Sequence, residues 1–117
     1  MTASRQTLFY ALADPTRRTI LELLAAKGRM YATEVYGNFS VSHPAISQHL
    51  KVLREAELVN VEKEAQKHFY SLNPEPVRVL EEWATQTLSM WEGRFRELDR
   101  VLESEKKKRK IEGHDRS

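Results

Sequence analysis

Cysteine is absent from the 117 residues, which excludes disulfides, thiolate nucleophiles, Cys-ligated zinc and thiol redox switches. Glycine is scarce, and the four present are too scattered to form a phosphate-cradling loop. No run approaches the roughly 20 apolar residues needed to cross a bilayer, and MTASRQTLFY has no basic leader followed by an apolar stretch and a cleavage site. The chain is therefore expected to be cytoplasmic, with no membrane association. Histidines do not cluster either: His43 and His49 point to different sectors of one predicted helix, His68 falls in a predicted hairpin, and His114 lies near the end. No metal and no other cofactor is expected. With no paired carboxylates and no nucleophile beside a base at motif spacing, neither is an enzyme.

What is present is one domain's worth of chain, 13.7 kDa, with 40% hydrophobic and 31% charged residues. The net charge of +2 conceals three blocks. Residues 1–73 hold 9 basic and 7 acidic side chains, residues 74–103 hold 4 and 7, and residues 104–117 hold 6 and 3. Five consecutive cations, Lys106 to Lys110, predict a basic, disordered tail over 104–117 following a folded domain over 1–103.

Leu8, Phe9 and Leu12 form an apolar stripe at helical spacing, ended by Asp14-Pro15-Thr16, where Asp14 can cap a second helix that opens on Pro15. Ile20, Leu21, Leu23 and Leu24 give that helix its buried face, and Gly28 is placed to stop it. Thr33 can cap a short third helix with Val35, Tyr36 and Phe39 as its apolar contacts. Ser42 caps a fourth, over 42–57, whose Pro44 is tolerated because first-turn amides have no helical acceptor. Two runs of partial period-2 alternation around Glu64-Ala65-Gln66-Lys67 predict a hairpin over 60–72. Pro76 then sits in the first turn of a long helix reaching about Glu103. The fold expected is mainly α with a β-hairpin wing, a winged helix-turn-helix ending in a long dimerisation helix.

At 100° per residue, Ile46, Leu50 and Leu53 share one sector of the fourth helix, and Pro44, Gln48, Lys51 and Glu55 lie opposite. Ser47 borders the outer sector and His43 occupies the first turn. Their hydroxyl, amide, imidazole and ammonium groups suit base edges and phosphates in a major groove. Any exposed helix can carry such residues; what distinguishes this one is the cap, the proline, the preceding turn and the following hairpin in the order that presents it. His49, at the edge of the apolar sector, is better placed for a structural hydrogen bond.

Ala13-Asp14-Pro15-Thr16-Arg17-Arg18 with Ile20-Leu21-Glu22-Leu23-Leu24, and the run from Ser42-His43-Pro44-Ala45-Ile46-Ser47-Gln48-His49-Leu50-Lys51 to Val59, resemble the ArsR-type family of winged-helix repressors. The resemblance covers residues 8 to about 102. It implies a homodimer that binds an imperfect palindrome in double-stranded DNA and leaves it when a small-molecule or protein effector engages. It also implies recognition-helix roles for His43, Ser47, Gln48 and Lys51, beside which Pro44 is a DNA-binding candidate by its place on the outer face, and wing roles for Lys63, Gln66 and Lys67. The chain departs from the family pattern in three places. The third-helix segment has no cysteine pair. Between Val77 and Lys110 there is no histidine and one aspartate, Asp99, so neither of the family's metal sites is present. Tyr36 and Ser40 replace a small residue and a glycine, with Gly37 available to relieve crowding, and the wing turn lacks its usual glycine.

In the long last helix, Ala84, Leu88, Trp91, Phe95, Leu98 and Leu102 step by 4, 3, 4, 3 and 4, a heptad seam. A domain this small has little interior left for such a stripe, so a second copy of the chain is the expected partner, joined by Leu8, Phe9 and Leu12 of the first helix. Trp83, Trp91 and Phe95 could instead line an effector pocket between subunits. A second function class stays open at this point: a winged-helix protein-interaction module that acts through the last helix without DNA.

Overall fold

The computed structural model describes the backbone of residues 3–115 and the side chains of residues 3–108. Side-chain caps open the first helices. Ser4 Oγ accepts the Thr7 amide (3.2 Å) at the start of α1, Arg5–Leu12, and an Asp14 carboxylate oxygen accepts the Arg17 amide (3.0 Å) at the start of α2, Pro15–Lys27. Gly28 ends α2 at φ 85, its amide bonded to Leu24 O at 2.7 Å, a left-handed stop that suits glycine.

The chain then enters β1, Arg29–Tyr31, a strand absent from the sequence expectation. It runs directly into α3, Ala32–Tyr36, so the helix starts before Thr33 and not at a Thr33 cap; the Glu34 carboxylate accepts the Tyr31 amide instead (3.0 Å). Gly37 takes φ −65, and a Cβ there would meet its nearest neighbours, two carbonyl oxygens, at 3.6 Å. It relieves no crowding. Helix α4, His43–Glu55, is capped by Ser42 Oγ on the Ala45 amide (3.3 Å) and ends two residues short of the expected 57. Its end is a Schellman motif: Leu58 N bonds to Leu53 O (3.0 Å), Glu57 N to Arg54 O (2.9 Å), and Glu57 adopts φ 60. Tertiary bonds hold this non-glycine residue left-handed. Asn73 Nδ2 donates to its carbonyl (2.9 Å), and the Ala3 amide donates to its carboxylate (3.2 Å).

Strands β2, Val59–Glu64, and β3, Lys67–Leu72, pair antiparallel, and β1 adds to the far edge of β3, giving the order β1-β3-β2. Glu64 pairs with Lys67, which leaves Ala65 and Gln66 as a two-residue turn with Ala65 at φ 53. An L-residue pays roughly 1–2 kcal/mol in that region, while glycine adds about 0.5–1 kcal/mol of unfolded-state entropy. Ala65→Gly is therefore expected to raise stability by up to about 1 kcal/mol in denaturant unfolding, without changing the slope of the transition.

The core beneath these elements is built from Leu8, Ala11, Ile20, Leu24, Met30, Val35, Ile46, Leu50, Leu53 and Leu58, each no more than 2% exposed. Its contributors come from every helix up to α4 and from the sheet, so the position of α4 is fixed from beneath.

Helix α5, Pro74–Asp115, runs well past the expected end near Glu103. From Ser104 no proline or glycine occurs before Gly113, and the Glu, Lys and Arg that fill this stretch are good helix formers. Lys106 lies 3.9 Å from Glu103 one turn earlier. The tail side chains from Arg109 onward, His114 among them, lie outside the described residues. The chain divides into two units, one up to Glu81 and one from Glu82. In the first, Pro76 is buried and Leu80 packs on the core; the second is a single helix with exposed side chains throughout its described part. No helix among the described residues is long and apolar enough to cross a membrane.

Candidate nucleic-acid interface

Helix α4 is anchored by Ile46, Leu50 and Leu53 at 0%, 2% and 0% exposure, and it turns His43, Pro44, Ser47, Gln48 and Lys51 outward. These are the five residues singled out from the sequence, and the helical period alone separates the two sets. The exposed face is a polar ridge that carries Lys51 and stands on a rigid apolar base.

The structure adds a residue that sequence reasoning left out of the site. Tyr36, at the end of α3, stacks on the His43 ring (centroids 4.6 Å apart, planes 16° apart) and places its hydroxyl 2.8 Å from Ser47 Oγ. His43 and Ser47 are one turn apart on the same face of α4, so the phenol lies along the helix for that turn. The bulk noted at position 36 is accommodated partly against the core and partly over the ridge. On β3, burial pushes the half-buried Tyr70 phenol above its ordinary pKa, so it stays neutral at physiological pH.

Behind the ridge, His49 has the structural setting expected for it. Its Nδ1 is 3.3 Å from an Arg17 guanidinium nitrogen and 3.8 Å from Asp14. A guanidinium can only donate, so the contact with Arg17 is a hydrogen bond where Nδ1 carries its lone pair. Arg17 itself is 8% exposed, with Nε donating to Ala11 O (2.7 Å) and a terminal nitrogen to Tyr10 O (2.9 Å). The Arg17 amide donating to it holds the Asp14 carboxyl below its ordinary pKa, against the opposing effect of burial and with help from the adjacent His49 and Arg17 side chains. One arginine thus joins α1, α2 and α4.

In the wing, the register puts Lys63 opposite His68 and Glu64 opposite Lys67. Lys63 therefore shares a face with His68, Val61 and Tyr70, whereas Lys67 shares the other with Glu64, Glu62 and Phe69. The two lysines named together from sequence act on opposite faces. Lys67 Nζ sits 4.7 Å from the Tyr31 ring, and Arg29 lies 3.5 Å over Phe69 with Glu62 and Glu64 at 3.6 and 3.2 Å. Gln66 is at the exposed tip. His68 beside Lys63 belongs with the candidate wing contacts; the two-residue turn, once assumed, would have placed it there from sequence.

On α5 the seam residues Leu88, Trp91, Phe95, Leu98 and Leu102 are 50–62% exposed, with Trp91 and Phe95 rings 6.3 Å apart. Trp83 falls outside the row spaced by fours and threes. Leu8, expected to join the seam, is instead 1% exposed and belongs to the core of its own chain, leaving Phe9 at 42% and the half-buried Leu12 as the residues of that stripe with surface to offer. Among the described residues no group of three or more His, Cys, Asp or Glu side chains is placed to hold a metal ion.

Residues 14–61, from the Asp14 cap through α4 into β2, match the model of the arsR family of bacterial regulatory proteins. The transcriptional repressor SdpR of Bacillus subtilis (strain 168) is 44% identical over 66 residues, which is 56% of this chain and 72% of that protein. An arsenical resistance operon repressor of Staphylococcus xylosus is 41% identical over 69 residues, 59% of this chain and 65% of the repressor. Among solved structures, an ArsR-like transcriptional regulator from Rhodococcus sp. RHA1 superposes with a TM-score of 0.77 at 25% identity, over 85% of this chain and 90% of its own. HlyU from Vibrio cholerae N16961 gives 0.58 at 34% identity, over 71% and 89%.

Proposed function

Because the chain belongs to the ArsR family of bacterial regulatory proteins, whose members are DNA-binding transcriptional regulators and not enzymes, we propose that it is a cytoplasmic, homodimeric repressor of a palindromic operator. The observation that carries this reading is the α4 ridge: His43, Ser47, Gln48 and Lys51 exposed on a helix whose opposite face is locked in the core. Gln48 can pair with adenine through both amide atoms, Ser47 can bond several base edges, and Lys51 can reach guanine or a phosphate. Lys63, Gln66, Lys67 and His68 extend the contact through the wing.

Dimerisation supplies the second half-site. Burying Trp91 alone removes about 150–250 Å² from water, worth up to roughly 4–6 kcal/mol before ordering entropy. Left uncovered, a row of five large apolar side chains would promote aggregation. The acidic balance of residues 74–103, 4 basic against 7 acidic, makes this stretch a poor surface for DNA and a reasonable one for a second chain. Two α4 helices in successive major grooves would lie about 34 Å apart. Release by a small-molecule or protein effector completes the proposal.

Selection of duplexes from a random pool, followed by binding of the winner at two salt concentrations, tests it. A protein making 6–10 phosphate contacts should lose about 10³–10⁵ in affinity between 50 and 200 mM salt. Gln48→Ala should cost about 1–3 kcal/mol and relax selection at one position of each half-site. Selection of the same sequence with the same stringency by the variant would remove α4 from the reading head, and salt-insensitive association would point to a protein partner on α5.

A further inference from the structure

The hydroxyl of Ser47 is an atom on the α4 ridge whose direction the fold can set in advance. An unrestrained serine hydroxyl rotates, and so bonds base donors and base acceptors alike. Here Tyr36 Oη stands 2.8 Å from Ser47 Oγ, and its ring is held in place by stacking on His43 at 4.6 Å. Of the two hydroxyls the phenol is the more acidic, so the favoured arrangement has Tyr36 donating and Ser47 accepting. That contact uses one lone pair of Ser47 and leaves its proton and its second lone pair to point away from Tyr36, toward whatever faces α4. We propose that Tyr36 is a specificity-determining positioning residue that fixes the direction in which the Ser47 hydroxyl is presented and so directs it to one base edge.

The inference rests on α4 being the reading head, and it makes that reading more specific. In the major groove, guanine offers two acceptors and thymine one, cytosine offers a donor, and adenine offers one of each. A Ser47 hydroxyl held in one direction meets the groups of one base edge and therefore narrows the bases accepted at its position. Tyr36 need not touch DNA to do this, and it lies on a different helix from the one that reads.

The test compares duplex pools selected by the wild type, Tyr36→Phe, Ser47→Ala and the double variant. Phenylalanine keeps the ring and its stacking on His43 and removes only the hydroxyl, which is exposed, so thermal unfolding should stay within a few degrees of the wild type. The expected result is one position per half-site at which the base preference of the wild type depends on Ser47. Ser47→Ala loses that preference, and Tyr36→Phe weakens it by about three- to tenfold, the worth of one oriented hydrogen bond. Other positions keep their preferences, and the double variant matches Ser47→Ala, because Tyr36 acts through Ser47. Unchanged selectivity in Tyr36→Phe, a uniform loss at every position, or additivity with Ser47→Ala would each overturn the proposal while leaving the repressor reading intact. A wild type that selects no sequence would overturn both.

Discussion

Leu98→Glu is expected to sediment as a single subunit at micromolar concentration and to bind operator DNA about 10²–10⁴-fold more weakly than the wild type. Leu98 lies in the seam at 53% exposure, between Phe95 and Leu102. In the proposed pairing a glutamate there faces apolar side chains and, near the two-fold axis, its own copy. An unpaired carboxylate taken out of water costs several kcal/mol, and like-charge repulsion adds to it. That loss is comparable to the whole contribution of one buried aromatic anchor, so dissociation should dominate. DNA affinity falls with it because two half-sites held on one dimer bind with a high effective concentration that separate subunits lack. The winged unit up to Glu81 should keep its cooperative unfolding, since its core includes no residue of the seam. A variant that remains dimeric with undiminished affinity would place the dimer contact elsewhere, and Phe9→Glu on α1 would be the next substitution to measure.

The features legible in the sequence were those that short segments determine alone. Asp14, Gly28 and Ser42 act within three or four residues of themselves, and each punctuates a helix where expected. The period of α4 separated its buried and exposed faces because both are properties of one helix. What escaped depends on partners distant in the chain. Strand β1 has a single buried residue, Met30, and exists because the free edge of β3 accepts it some forty positions later. Tyr36 reaches Ser47 across the turn between α3 and α4, and nothing local marks the tyrosine as part of the site. Leu8 and Leu98 both sit on apolar stripes, yet one is covered by its own subunit and the other is uncovered, a difference periodicity cannot express. The left-handed Glu57 was hidden for the same reason, since its conformation is held by Ala3 and Asn73.

Arg17→Met is expected to lower stability by about 2–4 kcal/mol, seen as a fall of roughly 10 °C in the thermal midpoint, while Arg18→Met changes it by less than about 1 kcal/mol. The two neighbours do formally similar jobs: Arg17 donates to the carbonyls of Ala11 and Tyr10, and Arg18 donates to that of Leu12 at 2.6 Å. Each carbonyl belongs to the last turn of α1, where helical partners run out. Burial separates them. Arg18 is exposed, so water replaces it at little cost. Arg17 is 8% exposed, and methionine in its place would leave the Ala11 carbonyl and His49 Nδ1 without this donor, and the Tyr10 carbonyl with the Ala13 amide alone, in a space water enters poorly. Lysine at position 17 should recover only part of the loss, because one ammonium cannot reproduce a planar fork aimed at two carbonyls and a ring nitrogen. Because Arg17 also braces His49 on α4, Arg17→Met should weaken operator binding more than its unfolded fraction accounts for, and Arg18→Met should not. Equal stability losses in the two variants would mean that the Arg17 cluster is open to water.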